Sequence, residues 1–467
     1  MQATQTGFGR VFINTPGVNN IFKLHNFMKL GPLDRTESQV EKIYSYNSKN
    51  EKINVAIVQT DESEITSSLS GDLPLSKRSV LETLRNKLFN IQIHYGNCSS
   101  PTDFYTFESA MILKDVTLLS YNLSELNAIV PSQRAVVTES ANLSIGNYYR
   151  ITYPKFTNIF TISGSSLLNG VVYIERSDCD ESISNDVNLI GLLDKLGNTA
   201  FVYSLDNGKN WVESGTSGVP HEGLPEEAKI IYANSRVYWS KINGGIARLY
   251  SFEASRILNG DTISESELYR TTIGGIKGLT KTSRYIYGVG GTSDGLILKV
   301  DLTNEKVEII EENTVFTTVG LTAIDVLDDN FFVVGGLSGV YGIYHNGVLS
   351  SYVIDYPGAT AETVQSIKVF DQNNWLIGTD FSVFRTSNRG NTWQKLIQDG
   401  TYNNLTFYDN LYGYNVSSDA IYLTLDGGYS WKKVSSNISA TVCSAFLSPE
   451  DHNQLYICYS EEIKKTI

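Results

Sequence analysis

The chain is short of the residues that most often announce chemistry: its 467 residues include 4 cysteines, 5 histidines and 3 methionines. Cys98, Cys179, Cys443 and Cys458 show no C-x-x-C spacing, which excludes the common zinc and redox motifs and reads as free, buried thiols. Cys443 and Cys458 flank a predicted turn, "SPEDHN", so a cross-strand disulfide between them stays open. His25, His94, His221, His345 and His452 stand alone, with no H-E-x-x-H pair, and no metal site is indicated. Neither a G-x-S-x-G nucleophile elbow nor a phosphate-cradling Gly-Lys-Ser/Thr loop occurs. The acidic run "SDCDESISND" (177–186) lacks the ligand spacing and central glycine of a calcium loop and reads as an exposed insertion. No cofactor is expected.

Long apolar stretches are missing too. No run of some 18 apolar residues is present, and the opening "MQATQTGFGR" has no basic segment followed by an apolar core. The expectation is a product made in a cytoplasm, with no membrane span and no secretory signal. Positive charge is scarce relative to negative, the net charge being -13. Residues 1–150 hold 14 basic and 14 acidic residues, so of the total 37 and 50 the remainder carries 23 against 36. An acidic surface argues against nucleic acid, whose phosphates require clustered Lys and Arg.

What the chain does have is 28 tyrosines, 38 glycines and 41% hydrophobic residues, a mixture that favours strands and turns. Its length exceeds one ordinary core, so repeats are the first thing to seek. Three stretches answer: "YSLDNGKNW", "FRTSNRGNTW" and "TLDGGYSW". They align as Ser204, Asp206, Gly208, Asn210, Trp211; Thr386, Asn388, Gly390, Thr392, Trp393; and Thr424, Asp426, Gly428, Ser430, Trp431.

The spacing between copies carries more than the copies do. Trp393 and Trp431 are 38 residues apart, and the 182 residues from Trp211 to Trp393 divide into four steps of about 45, the repeat length of a four-stranded propeller blade. Degenerate copies fall near the intermediate phases at Ser251, Asp301 and Asn346. Apolar strands ending in small residues, "YGVGG", "FVVGG" and "WLIGT", recur one strand earlier. This predicts a mainly β fold with a seven-bladed β-propeller over 151–467, with blades at 166–217, 225–273, 276–313, 318–355, 363–399 and 402–436. A seventh begins at "TVCSAFLSPEDHNQLYICYSEEIKKTI" and has only three strands, so its missing outer strand is expected from "FTNIFTIS" (156–163), closing the ring and hiding its edges.

The repeated Ser-x-Asp-x-Gly-x-Thr-Trp pattern resembles the Asp-box, or BNR repeat, of sialidase-type and sortilin-type β-propellers. The resemblance covers about residues 155–467. It implies a hairpin turn between the third and fourth strands of a blade, with the Asp or Asn accepting backbone N–H groups two or three residues ahead, Gly supplying a positive φ and Trp packing back. Ser204, Asp206, Gly208, Trp211, Thr386, Asn388, Gly390, Trp393, Thr424, Asp426, Gly428 and Trp431 are therefore structural residues, and no catalytic residue is assigned. Hosts of the box range from glycosidases to receptors and assembly factors. A sialidase-like site would need three arginines, a Tyr/Glu nucleophile pair and an Asp. "YYRITYP" around Arg150 resembles the Tyr/Phe-Arg-Ile-Pro of sialidases, but Thr152 and Tyr153 intervene before Pro154. Arg176, Arg236, Arg284 and Arg385 have no motif context.

Residues 1–150 break the repeat and read as a small α+β anchoring module. "SKRSVLETLRNKLFN" (76–90) places Val80, Leu81, Leu84 and Leu88 on one helical face, with Ser79 and Glu82 at capping-box spacing. Strands are expected at "INVAIVQT", "NIQIHYG", "AMILKDVTLLSYNLS" and "QRAVVTESANLSI", and the first 35 residues read as an extended arm. The cysteine-poor, Asn/Ser/Tyr-rich chain resembles structural proteins of tailed bacteriophages. That resemblance implies a non-enzymatic virion subunit whose partners are other proteins of a large assembly. A carbohydrate-binding or sialidase-like propeller and a cytoplasmic assembly factor or receptor-like scaffold are the alternatives.

Overall fold

The computed structural model describes residues 10–14, 21–23, 29–30, 33–35, 40–46, 52–59, 65–74, 83–84, 86–95, 107–123, 136–162, 166–174, 189–195, 198–214, 229–243, 245–259, 266–359, 362–397, 403–436, 441–449 and 451–466. The chain divides into two compact units, Met1–Tyr153 and Pro154–Ile467.

The described part of the first unit is mostly strand. One antiparallel sheet runs in the order Ile21–Lys23, Arg10–Asn14, Phe89–Tyr95, Ser109–Leu123, Val136–Thr152, Ile65–Pro74 and Lys29–Leu30, with Asp34–Arg35 also on Ile65–Pro74. Val40–Tyr46 and Lys52–Gln59 form a separate pair. Alternation builds the core: Phe89, Ile91 and Ile93 point to one face with Val11, Ile13, Leu113 and Leu143. One expectation is corrected here. Residues 10–14 are not an arm, because Val11 and Ile13 pair with Ile93 and Ile91 and are buried in that core. Residues 76–82 and 85 of the expected helix lie outside the described residues, and Thr83 is helical. The part that is described closes a turn at Asn86, φ 61°, exposes Leu88 and enters the strand at Phe89. Leu84, Phe89 and Ile91 are all buried in the same core.

The second unit is a seven-bladed β-propeller. Among the described residues it has seven antiparallel sheets of four strands each. Six are continuous in sequence, spanning Ser166–Glu213, Ile230–Thr271, Ile276–Glu312, Leu321–Val353, Val364–Ile397 and Asn404–Ser436, called blades 1 to 6 below. Blade 7 combines Val442–Leu447, Leu455–Tyr459 and Glu462–Thr466 with Phe156–Thr161 from the start of the unit. The first strand of each blade packs on the first strand of the next, and Val442–Leu447 of blade 7 returns to Ser166–Tyr173 of blade 1. The ring is closed.

Burial explains why these segments are strands. The second strands, such as Phe331–Gly336, Trp375–Thr379 and Leu455–Tyr459, are buried along their whole length and read as unbroken apolar runs. Outer strands are exposed or half-buried, as in Val348–Val353 and Phe156–Thr161. First strands share a device that sequence did not reveal. In five blades the pairing register slips just after a buried apolar residue, at Leu168/Gly170, Ile276/Gly278, Leu321/Ala323, Val364/Ser366 and Val442/Ser444. Such bulges sharpen the local twist where the strands crowd the axis. Next to them, hydroxyls stitch neighbouring blades. Ser366 Oγ donates to Asn403 O at 2.7 Å and accepts from Leu405 N at 3.0 Å, while Val171 N donates to Ser444 Oγ at 3.2 Å.

Removing residues 461–467 would strip Glu462–Thr466 from blade 7 and leave Phe156–Thr161 without its ladder. The expected outcome is a lower melting temperature for the whole propeller. The point substitution Ile463→Ala, at a side chain with no exposure, is expected to cost about 2–5 kcal/mol in denaturant unfolding. An unchanged melting curve for the truncation would contradict closure through this strand pair.

Candidate functional site

The three repeated turns join third and outer strands in blades 1, 5 and 6, and they share one hydrogen-bond plan. Ser204 Oγ accepts Gly208 N at 2.8 Å and donates to Asp206 Oδ1 at 3.0 Å. Thr386 and Thr424 do the same with Gly390 and Asn388, and with Gly428 and Asp426. Each Asp or Asn then reaches four residues ahead, one step further than the expected two or three. Asp206 Oδ1 accepts Asn210 N at 2.8 Å, Asn388 Oδ1 accepts Thr392 N at 2.9 Å, and Asp426 Oδ1 accepts Ser430 N at 3.0 Å. The side chains of Asn210, Thr392 and Ser430 complete each ring. Burial pushes the Asp206 carboxyl up, but the bonds from Asn210 and Ser204 outweigh it and hold the group below the usual carboxylate range.

Each turn also grips the preceding blade. The glycines sit at φ 85°, 81° and 83°, and a Cβ there would come within 2.4 Å of Ile159 in blade 7, 2.4 Å of Tyr341 in blade 4 and 2.5 Å of Leu376 in blade 5. The positive φ favours glycine, and the neighbouring side chains close over each one. The tryptophans follow: Trp211 lies 5.2 Å from Phe160 of blade 7 and Trp393 lies 5.4 Å from Tyr341 of blade 4. Trp211 and Trp431 donate their indole N–H to Gly208 O and Gly428 O, both at 3.1 Å. Blade 5 meets the third turn with Arg385, which is buried, donates to Gly427 O and stacks 3.6 Å over Tyr429. The degenerate phases use other turns. Asn346 and Gly347, at φ 51° and 86°, make a two-residue hairpin, and Asp301 caps Thr303 at 2.8 Å.

At the opposite end of the sheets, a polar seam runs between blades 5 and 6. Glu362, 6% exposed, accepts from Thr379 Oγ1, from Ser382 Oγ at 3.0 Å and from Lys395 Nζ at 3.5 Å. Asn403 Nδ2 donates to Thr379 O and Ser382 O at 2.8 and 3.2 Å, and Asn415 Nδ2 donates to Asn403 Oδ1 at 2.7 Å. Burial, and to a smaller extent the charge of Glu362, push the neighbouring Asp380 carboxyl up. Sequence reading missed the seam because its members come from five separate short segments. The one available signal was Thr379, a polar end to the apolar run "WLIGT".

The remaining candidates are dispersed. Arg150 donates to Ser109 Oγ in the first unit, Arg236 pairs with Glu305 at 2.9 Å in blades 2 and 3, and Arg284 is largely exposed near Asp301. Arg176, His25 and His221 lie outside the described residues. His94 is buried beside Gln92, His345 lies 5.9 Å from Phe331 and His452 lies 5.3 Å from Tyr408. Among the described residues, no group of three His, Cys, Asp or Glu side chains is placed to hold a metal, and no helix is long and apolar enough to cross a membrane. Cys443 and Cys458 are free and buried, and Cys443 Sγ donates to Leu168 O at 3.1 Å. Burial and the neighbouring Cys443 thiol push the Cys458 thiol up.

Asp426 is 2% exposed whereas Asn388 is exposed, so Asp426→Ala is expected to cost about 1–3 kcal/mol in denaturant unfolding and Asn388→Ala no more than about 1. Equal costs would refute the reading of the third turn as a buried fastener. A second test is pH. Glu311, at the end of the outer strand of blade 3, accepts from Thr314 N, Val315 N and Phe316 N at 2.7, 2.6 and 3.1 Å. Burial raises its carboxyl, but these bonds and that from Thr314 Oγ1 hold it below its ordinary value. A depressed folded pKa gives stability that is present above the unfolded pKa of about 4.3 and lost as pH falls through the folded pKa. Glu311→Gln should therefore lower the melting temperature at pH 7 and flatten its decline in acid; parallel melting curves would contradict this.

No protein-family profile matches the chain, and no curated protein matches it. Solved structures do. YCF48 from Cyanidioschyzon merolae is similar over 67% of this chain and 98% of its own, at 12% identity and a TM-score of 0.46. A YCF48 bound to D1 peptide is similar over 68% and 94%, at 10% identity and a TM-score of 0.48. The WD40 β-propeller domain of Doa1 is similar over 68% and 97%, at 10% identity and a TM-score of 0.48. These similarities concern the fold alone.

Proposed function

We propose that the chain is a non-enzymatic structural and binding subunit of a bacteriophage or phage-tail-like particle. Residues 1–150 anchor it, and the propeller decorates, spaces or binds a further protein. The observation that carries the non-enzymatic part is the use made of the repeated polar residues. The three turns resemble Asp-boxes, and their Ser or Thr, Asp or Asn and Gly are spent on turn-internal hydrogen bonds and on contact with the preceding blade. Side chains committed in this way stabilise a rigid disc and present no reactive group. A rigid disc with an acidic surface is suited to display and to protein contact, and the cysteine-poor, Tyr- and Asn-rich composition supports a virion setting.

Mass spectrometry of purified particles tests the placement. The chain is expected among the particle proteins at a fixed stoichiometry; its absence from particles, with the protein present in the producing cell, would overturn the proposal. Hydrolysis of sialosides or other glycosides by the purified chain, abolished by substitution of a residue in the ring, would overturn the non-enzymatic reading.

A further inference from the structure

A propeller exposes seven outer strands, each with unpaired backbone groups along its free edge, and such edges are normally protected by charge, by bulges or by shortness. Six of the seven here are. The outer strand of blade 1 is two residues long and carries Glu213. Those of blades 2, 3, 5 and 6 carry Glu267 and Arg270, three glutamates, Lys395, and Lys432 with Lys433, and each pairs through a shifted register. That of blade 7 is uncharged but has a register shift at Asn158/Phe160. Blade 4 differs. Its outer strand, Val348–Val353, reads V-L-S-S-Y-V, has six residues, no charge and an unbroken register against Val340–His345. Val348, Tyr352 and Val353 are 64%, 46% and 47% exposed.

Backbone geometry says which groups are free. The two-residue turn Asn346–Gly347 makes His345 and Val348 the closing hydrogen-bonded pair, so residues 348, 350 and 352 turn their N–H and C=O inward. Residues 349, 351 and 353 turn theirs to the free edge. A two-fold axis perpendicular to the sheet then has one natural centre, Ser351 opposite Ser351. It places Leu349 opposite Val353 on one face and Ser350 opposite Tyr352 on the other, apolar with apolar and hydroxyl with hydroxyl. The nearest charge, Asp355, falls opposite Gly347 of the second copy. Tyr352 is already held in place, stacked on Tyr341 at 5.5 Å and 24°.

We propose that this edge joins two copies of the chain, strand Val348–Val353 pairing antiparallel with itself about Ser351. The occupant is a second copy rather than a foreign strand because the edge is self-complementary under the two-fold and has no charge with which to select another partner. The pairing extends blade 4 into an eight-stranded sheet across two propellers.

Sedimentation velocity of the full chain over a concentration series tests this, with Ser351→Lys and Ser351→Pro. Lysine would set two like charges directly opposite, and proline would remove an outward N–H that blade 4 does not use. The wild type is expected to reach twice the chain mass, and both variants to dissociate at least about tenfold more readily while keeping the wild-type melting temperature. Should proline disturb the fold, Ser351→Lys against Ser351→Thr gives the same comparison. A wild type that stays monomeric at high concentration, whether or not it captures an unrelated β-strand peptide, overturns the proposal. So does a dimer that survives Ser351→Lys.

Discussion

A ring of sheets has to meet itself, and everything else in the propeller depends on how well that junction is made. Here the first strand of the unit, Phe156–Thr161, is donated to the last blade and pairs with Glu462–Thr466. The junction is reinforced from blade 1. The turn at Asn207–Gly208 lies against Ile159, Trp211 lies against Phe160, and Tyr456 Oη and Lys465 Nζ both donate to Asn207 O, at 3.4 and 3.2 Å. One of the three turns thus sits at the seam between the chain's two ends. An opening there would expose two strand edges at once, along with buried side chains such as Ile463 and Tyr456.

The same turn, used again in blades 5 and 6, shows why its residues recur. A hairpin that must present a left-handed backbone and also let the preceding blade approach within van der Waals distance has few solutions. The hydroxyl and carboxylate or carboxamide accept the turn's own backbone N–H groups. Blades 3 and 4 meet looser demands and use Asp301 or Asn346–Gly347 instead. That is why the pattern fades in the middle of the ring while the strand period persists.

Legibility in the sequence follows from this. Blade positions could be read because the turns and the "FVVGG"-type second strands are local patterns, each dictated by residues adjacent in the chain. The first-strand bulges at Asn169, Thr322 and Cys443 left no mark, since a bulge is defined by the strand opposite. The polar seam was illegible for the same reason: Glu362, Thr379, Asn403 and Asn415 meet only after blades 5 and 6 have packed. In the first unit the strand Phe89–Tyr95 begins before the expected helix 76–90 ends, because Phe89, Ile91 and Ile93 complete a sheet with Val11 and Ile13. Short apolar runs are where periodicity discriminates least.

Where function resides on such a fold can be narrowed by asking which polar groups the fold has already used. The turns on one rim are consumed by their own hydrogen bonds and by neighbouring blades. The seam on the other is largely inward, Glu362 satisfied by Thr379, Ser382 and Lys395. What remains uncommitted is surface that does not repeat. The outer strand of blade 4 is the clearest instance, because the devices that keep the other edges solitary are missing from it while the strand itself is regular and well supported by Tyr341 and Ile343. A repeat architecture hides function in this way: selection for the ring makes the blades alike, and selection for a partner makes one of them different.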